Sequence, residues 1–289
     1  MPDRQDQRAG DNALNIQAGG NVVINSLTVA DVIAITEQTF RANLLDMKGV
    51  AQAVFNERSE QILADAVERL SKENPNSIQH AAEPDFQMAL LDAAKAYGRT
   101  GDEDLEKLLV DILVDRVEKP SRSLVQIVLG EALTVAPRLN AAHIDALTIS
   151  WLIRYVGFPG VITIADAMKI FSTYFLPCLS AWPISGPSYQ HLQYLGCGAV
   201  SVLQAGFEST LPTKFPMMYK VHSGAPQVAT QNIRTALESS GSPLLHSFAQ
   251  QWDDSDSKSF LPTSLGIALG HANLRRKTGE NLDLSIWIH

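Results

Sequence analysis

From Ala30 to Glu73 the chain carries no proline and one glycine, Gly49. Its apolar residues recur at three- and four-residue intervals: Phe40, Leu44 and Leu45, then Ile62, Leu63, Ala66, Val67 and Leu70. That spacing lays an apolar stripe along a helix. It predicts one long helix or two, broken near Gly49 and stopped by Asn74-Pro75, because proline cannot continue a helix. Glu83-Pro84-Asp85 opens a further helix to about Gly98, since proline suits a first turn and acids suit the positive end of the helix dipole. Past the turn Thr100-Gly101-Asp102, Leu105, Leu108, Leu109, Ile112 and Leu113 share one face. Asp104, Asp111, Asp115 and Glu118 lie on another, which reads as a solvated acidic side. Ser123–Val135 and His143–Val156 continue in helices, separated near Pro137.

The texture changes at Gly157. From there to Pro226 proline and glycine are frequent, with helical pieces at about 163–175 and 189–204. A soft boundary therefore falls near 157–160. The apolar run Phe215–Val221 reads as a buried connection in preference to an exposed patch. Helices are expected over Pro226–Ser239 and Pro243–Trp252, with a polar loop at 253–259. Thr263 can cap a helix through about Lys277, and Gly279 can end it. Leu282, Leu284, Ile286 and Ile288 then alternate with polar or aromatic neighbours, the period of a short strand.

The opening is different again. Residues 9–25 read AGDNALNIQAGGNVVIN and contain a degenerate repeat, residues 9–16 aligning on 18–25. Each unit is a turn-forming cluster followed by a short run that favours strand, because glycine and asparagine tolerate positive φ while Val22, Val23 and Ile24 are β-branched. Gly19-Gly20 can join two strands as a hairpin, or the units can form rungs of a small β-roll. A lone two-stranded ribbon is marginal in water, and no charge guards its edges between Ala13 and Thr28. The segment can be disordered, dock on its own body, or pair with other copies. Pairing is the reading preferred here, since uncharged amides and small residues suit close stacking and symmetric association removes the edges. The residues expected to carry it are Asn12, Leu14, Asn15, Ile16, Gly19, Gly20, Asn21, Val23 and Ile24.

The pattern thus predicts a mainly α protein. A multi-helix body follows a short N-terminal β hairpin or β-roll and ends in a helix–strand element of the kind found in winged-helix units. Three parts are expected: 1–28 for oligomerisation, a helical domain over 29–158, and a second helical subdomain over 159–289.

Composition narrows the function. The 289 residues carry a formal net charge of −8, which disfavours a general coat for phosphate backbones. Arg275, Arg276 and Lys277, at a helix end beside the expected wing, are the one candidate nucleic-acid contact. Their other role is to complement the helix dipole. The two cysteines, Cys178 and Cys197, lie in apolar stretches and read as buried reduced thiols. No leader-like apolar segment opens the chain and no apolar run reaches membrane-spanning length, so a cytoplasmic protein without a membrane partner is expected. Phosphate-binding loops, dinucleotide fingerprints, H-E-x-x-H, Cys-x-x-Cys and G-x-S-x-G are all missing from the sequence. Leu195-Gly196-Cys197-Gly198 resembles a nucleophile elbow but has no obvious His and acid partners. No catalytic residue, metal ligand or cofactor is assigned.

The opening segment, the run EPDFQMALLDAAKAYGRTGDEDLEKLLVDILVDR and the terminal DLSIWI resemble an uncharacterised family of bacterial proteins of similar length. The opening also resembles N-terminal segments of bacterial conflict and mobile-element proteins. The EDLEKLLVDILV, SLVQIVLGEAL and HIDALTI stretches are distantly similar to the helical abortive-infection alpha proteins. These resemblances imply a role near phage defence or mobile elements and carry over no catalytic residue. The leading expectation is a non-enzymatic, self-assembling scaffold or sensor, a homo-oligomer with a protein partner. An effector hydrolase or nuclease, and a DNA-binding regulator using the C-terminal element, are the alternatives.

Overall fold

A computed structural model describes residues 49–73, 83–117, 119, 122–183 and 185–289, together with Ala34. The expected assembly residues Asn12, Leu14, Asn15, Ile16, Gly19, Gly20, Asn21, Val23 and Ile24 lie outside the described residues, as does the β hairpin or roll expected of them.

The described chain is mainly helical. Gly49 stands at φ 68° and α1 (Val50–Glu73) begins at the next residue, so a helix boundary falls at that glycine. α2 (Pro84–Thr100) starts on its proline. α3 (Glu103–Val117) and α4 (Leu124–Val135) follow, the latter capped by Ser123, whose hydroxyl accepts from Gln126 N. After a 3-10 turn at Ala136–Arg138 comes α5 (Ala141–Tyr155), opened by a reciprocal cap between Asn140 and His143. His143 is therefore a capping residue. α1 pairs with α2, and α3 lies against α1, α2 and α4.

Beyond Gly157 the elements shorten. α6 (Ile164–Ile170) runs through a π turn, Phe171–Phe175, into a 3-10 turn, Leu176–Cys178. α7 (Gly186–Tyr194) is followed by β1 (Gly198–Val200), α8 (Phe207–Lys214), α9 (Pro216–Val221), α10 (Pro226–Glu238) and α11 (Pro243–Asp254). A 3-10 turn at Asp256–Ser259 leads into β2 (Phe260–Pro262) and α12 (Ser264–Thr278). The helix expected over 189–204 ends at Tyr194, because Gly196 turns the backbone to φ 76° and Gly198–Val200 pairs antiparallel with β2, Gly198 opposite Pro262. The loop expected at 253–259 is largely helical turn, with Ser257 and Ser259 buried. In Phe215–Val221, Phe215 and Met218 are buried while Met217 and Val221 are exposed, so the run has both faces.

The terminal strand is not formed. Asp283 accepts from Ser285 N and opens a 3-10 turn, Leu284–Ile286. Leu284 and Ile288 point inward and Ile286 outward. Residues four apart share a helical turn's face, so the alternation did not exclude one, and Trp287 fixes the ending by donating from Nε1 to Tyr155 O at 3.1 Å. The strand lies before α12, not after it, so no wing stands beside Arg275, Arg276 and Lys277.

The hydrophobic core runs without interruption across residues 157–160. α12, from the second half, packs on α3, α4 and α5 of the first. Its contact with α5 is a backbone approach: a Cβ on Gly270 would stand 3.0 Å from Thr148 Cα and N. Thr148 Oγ1 uses that closeness to donate to Gly270 O at 3.1 Å. Around α6 and α11 the core is aromatic, with Phe171 and Phe207 each edge-on to Phe248. Burial of each such ring contributes about 1.5–3 kcal/mol.

Candidate functional site

The densest collection of ionisable groups surrounds the end of α12. Thr263 caps this helix and Gly279, at φ 75°, ends it, as the sequence predicts. Arg275, Arg276 and Lys277 thereby occupy the last turn, where cations are favourable beside the helix dipole. Their heads turn inward. Arg275 meets Glu73 of α1 and Asp115 of α3, and its Nε lies 4.0 Å from Asp111. Arg276 pairs with Asp104 and donates to Asn273 Oδ1 at 2.9 Å. Lys277 Nζ lies 2.6 Å and 2.8 Å from the two Asp145 oxygens and donates to Pro177 O at 3.0 Å. Five carboxylates of the body thus surround the three cations that were the candidate phosphate contact.

Asp111 and Asp115 correct the expectation of a solvated acidic face. Both are buried, because α3 is covered by α1 and α12 on the side that carries them. Glu118 lies outside the described residues. Arg69 of α1 brings its guanidinium to 2.5 Å from Asp111. Burial pushes the Asp111 carboxyl up to about 6, although Arg69 and Arg275 pull it down. Burial likewise raises the Asp145 carboxyl against the opposing pull of Lys277 and Asn273.

His271 stands behind this layer. Its Nε2 lies 2.5 Å from Leu282 O, and its Nδ1 is 3.8 Å from Asp115 Oδ2. Because a carbonyl oxygen only accepts, Nε2 carries the proton. Burial lowers its pKa, and the nearby Asp115 opposes that shift. A cleft of about 260 Å³ opens beside it, lined by Asp115, Lys119, His271 and the segment Asn281–Leu284. A His–acid pair in a cleft is the beginning of nucleophilic catalysis, but the described lining offers no hydroxyl or thiol for His271 to activate. Its Nε2 proton is committed to a main-chain carbonyl. The cluster is arranged to fasten helices together.

Two other groups have reactive chemistry in principle. Lys214 is fully buried, with Nζ donating to Leu152 O and, at 2.8 Å, to Val156 O. It thus closes the C-terminal end of α5, and burial brings its ammonium down to about 7. Enclosure leaves no path for a substrate. Cys178 and Cys197 are free and buried, as expected, with thiols pushed up to about 12 by burial. Among the described residues no group of three or more His, Cys, Asp or Glu is placed to hold a metal ion, and no helix is long and apolar enough to cross a membrane.

Asp111, Asp115, Asp145, Lys214 and His271 were not singled out by the sequence as buried polar centres. A signal did exist for α3: Leu108, Leu109, Val110, Ile112, Leu113 and Val114 surround Asp111 in sequence, and a helix apolar on all sides is a buried one.

A family model matches residues 26–230 and, in a second stretch, 221–288. No curated protein matches the chain. No solved structure matches it.

Proposed function

The chain belongs to this uncharacterised family, whose model spans most of its length, and we propose that it is a non-enzymatic, self-assembling scaffold or sensor that acts by binding. The observation that carries this reading is an exposed apolar tip. The loop after β1 is held at its base, Ser201 N donating to Ser259 O at 2.8 Å and Ala205 N to Lys258 O at 2.9 Å. Its apex carries Val202 at 97% exposure and Leu203 at 76%, near Val200 and a Tyr194 at 78%. Large apolar side chains held in water on a fastened loop suit a protein–protein contact. Residues 12–24 supply the assembly element, and many copies then present the tip repeatedly, which raises avidity without new contacts. A place in phage defence or mobile-element biology rests on the resemblance of the opening segment and the helical stretches, and a cytoplasmic location on composition.

Phosphate contact by Arg275, Arg276 and Lys277 would first require separating them from Glu73, Asp104, Asp115 and Asp145. That cost makes a DNA-binding regulator the weaker reading. Sedimentation velocity on the full chain across a concentration series tests the proposal. A discrete oligomer supports it, and a monomer at every concentration refutes it.

A further inference from the structure

One cleft in the body collects three cations that have no carboxylate partner among the described residues. It measures about 430 Å³ and lies between the last turns of α2 and the end of α4 with the 3-10 turn that follows. Lys95 and Arg99 come from α2, Arg138 from the 3-10 turn, and Asp92 is the single carboxylate in the lining. Among the described residues, none of the three cations has an ion pair or a side-chain hydrogen bond, and the Arg138 guanidinium rests over the Tyr194 ring. Elsewhere Arg69, Arg116, Arg234, Arg275, Arg276 and Lys277 each face a carboxylate, and single cations such as Lys220 face none among the described residues, so the feature of this cleft is three such cations together. In a chain of net charge −8, acids to neutralise three more cations are not scarce.

The helix dipole favours Arg99 in the last turn of α2, but the three cations repel one another. Lys95 and Arg99 are four residues apart on one helix, where like charges repel. Arg138 joins them from a second element. An anion between them would relieve the repulsion, and guanidinium forks suit phosphate oxygens, which they can grip in pairs. Ala96, Leu133 and Pro137 give the same cleft an apolar wall. Tyr194, largely exposed, lies beside it with the Arg138 guanidinium 5.9 Å from its ring centroid. Cations for phosphate, apolar wall and aromatic rim for a flat ring, and a volume within the usual range of small-ligand sites belong to one ligand class.

We infer that this cleft binds a phosphorylated small molecule of nucleotide type, its phosphates on Lys95, Arg99 and Arg138 and its base toward the apolar wall and Tyr194. The inference is independent of self-assembly, since every residue in it belongs to the folded body.

Isothermal titration of the full chain with ATP, inorganic pyrophosphate and single-stranded oligothymidylate tests it, alongside Arg99→Ala, Arg138→Ala and, as an exposed cation outside the cleft, Lys220→Ala. The expected result is saturable binding of one ATP per chain and weaker pyrophosphate binding. ATP affinity should fall by about tenfold or more in each arginine variant, the loss of one charge-assisted contact, and stay unchanged in Lys220→Ala. The altered arginines are exposed and have no carboxylate partner among the described residues, so both variants should melt as the parent does. Absence of saturable ATP binding up to about 1 mM, binding indifferent to both arginine changes, or binding of the oligonucleotide without ATP would each overturn the inference.

Discussion

Lys277 Nζ lies within 2.8 Å of both carboxylate oxygens of Asp145, joining the last turn of α12 to the body of α5. Asn273 adds a second donor to the same carboxylate at 2.9 Å and a third link to Thr148 Oγ1. The most basic stretch near the end of the chain is therefore internal architecture, and its energetics are those of buried charge.

Removal of Lys277 should be costly because it leaves Asp145 buried and short of a partner. Lys277→Met is expected to lower unfolding free energy by about 3–5 kcal/mol, the range for breaking one side of a buried pair. Arg276→Ala, whose partner Asp104 is largely solvated, should cost about 1 kcal/mol or less. Urea unfolding of the two variants checks the ordering, and equal effects would contradict it.

The backbone approach of α12 to α5 makes Gly270 intolerant. Gly270→Ala places a methyl against Thr148 main chain, which cannot move aside like a side-chain end, and is expected to cost about 1–3 kcal/mol. Gly160→Ala, with nothing within 4 Å of the new carbon, should be close to neutral. Thermal melts of both proteins make the comparison.

Lys214 predicts a pH dependence of definite sign. Its folded pKa, about 7, lies below its ordinary 10.5. Between those values the unfolded chain holds the proton and the folded chain does not. Unfolding therefore takes up protons, and this group's contribution to stability rises with pH across that window. Stability measured from pH 7 to 10.5 in the parent and in Lys214→Met should differ by that slope, present in the parent and absent from the variant.

The thiols give a simple check on enclosure. Cys178 and Cys197 should resist an aromatic disulfide reagent in the native protein and react fully in denaturant. Fast native labelling of either would contradict its burial.

Local chemistry was legible in the sequence. Thr263, Gly279, Gly49 and the proline of α2 mark their helix ends because a cap or a backbone turn depends on neighbouring residues. Non-local chemistry was not. Asp111 and Asp115 look like a wet face until Arg275 arrives from 160 positions past Asp115. The terminal Leu284–Ile288 alternation suits a strand, but the sheet it needed pairs β1 with β2 instead. The cleft around Lys95, Arg99 and Arg138 was equally hidden, since two helical positions and a 3-10 turn meet there only after folding. The boundary near 157–160 marks a change in chain texture, and the packing passes through it.

The central claim is that assembly resides in the opening segment and binding surfaces in the helical body. Light scattering after size-exclusion chromatography tests it directly, on the full chain and on a chain beginning at Thr28. The account predicts a discrete oligomer for the first and a folded monomer for the second. The same species from both would contradict it.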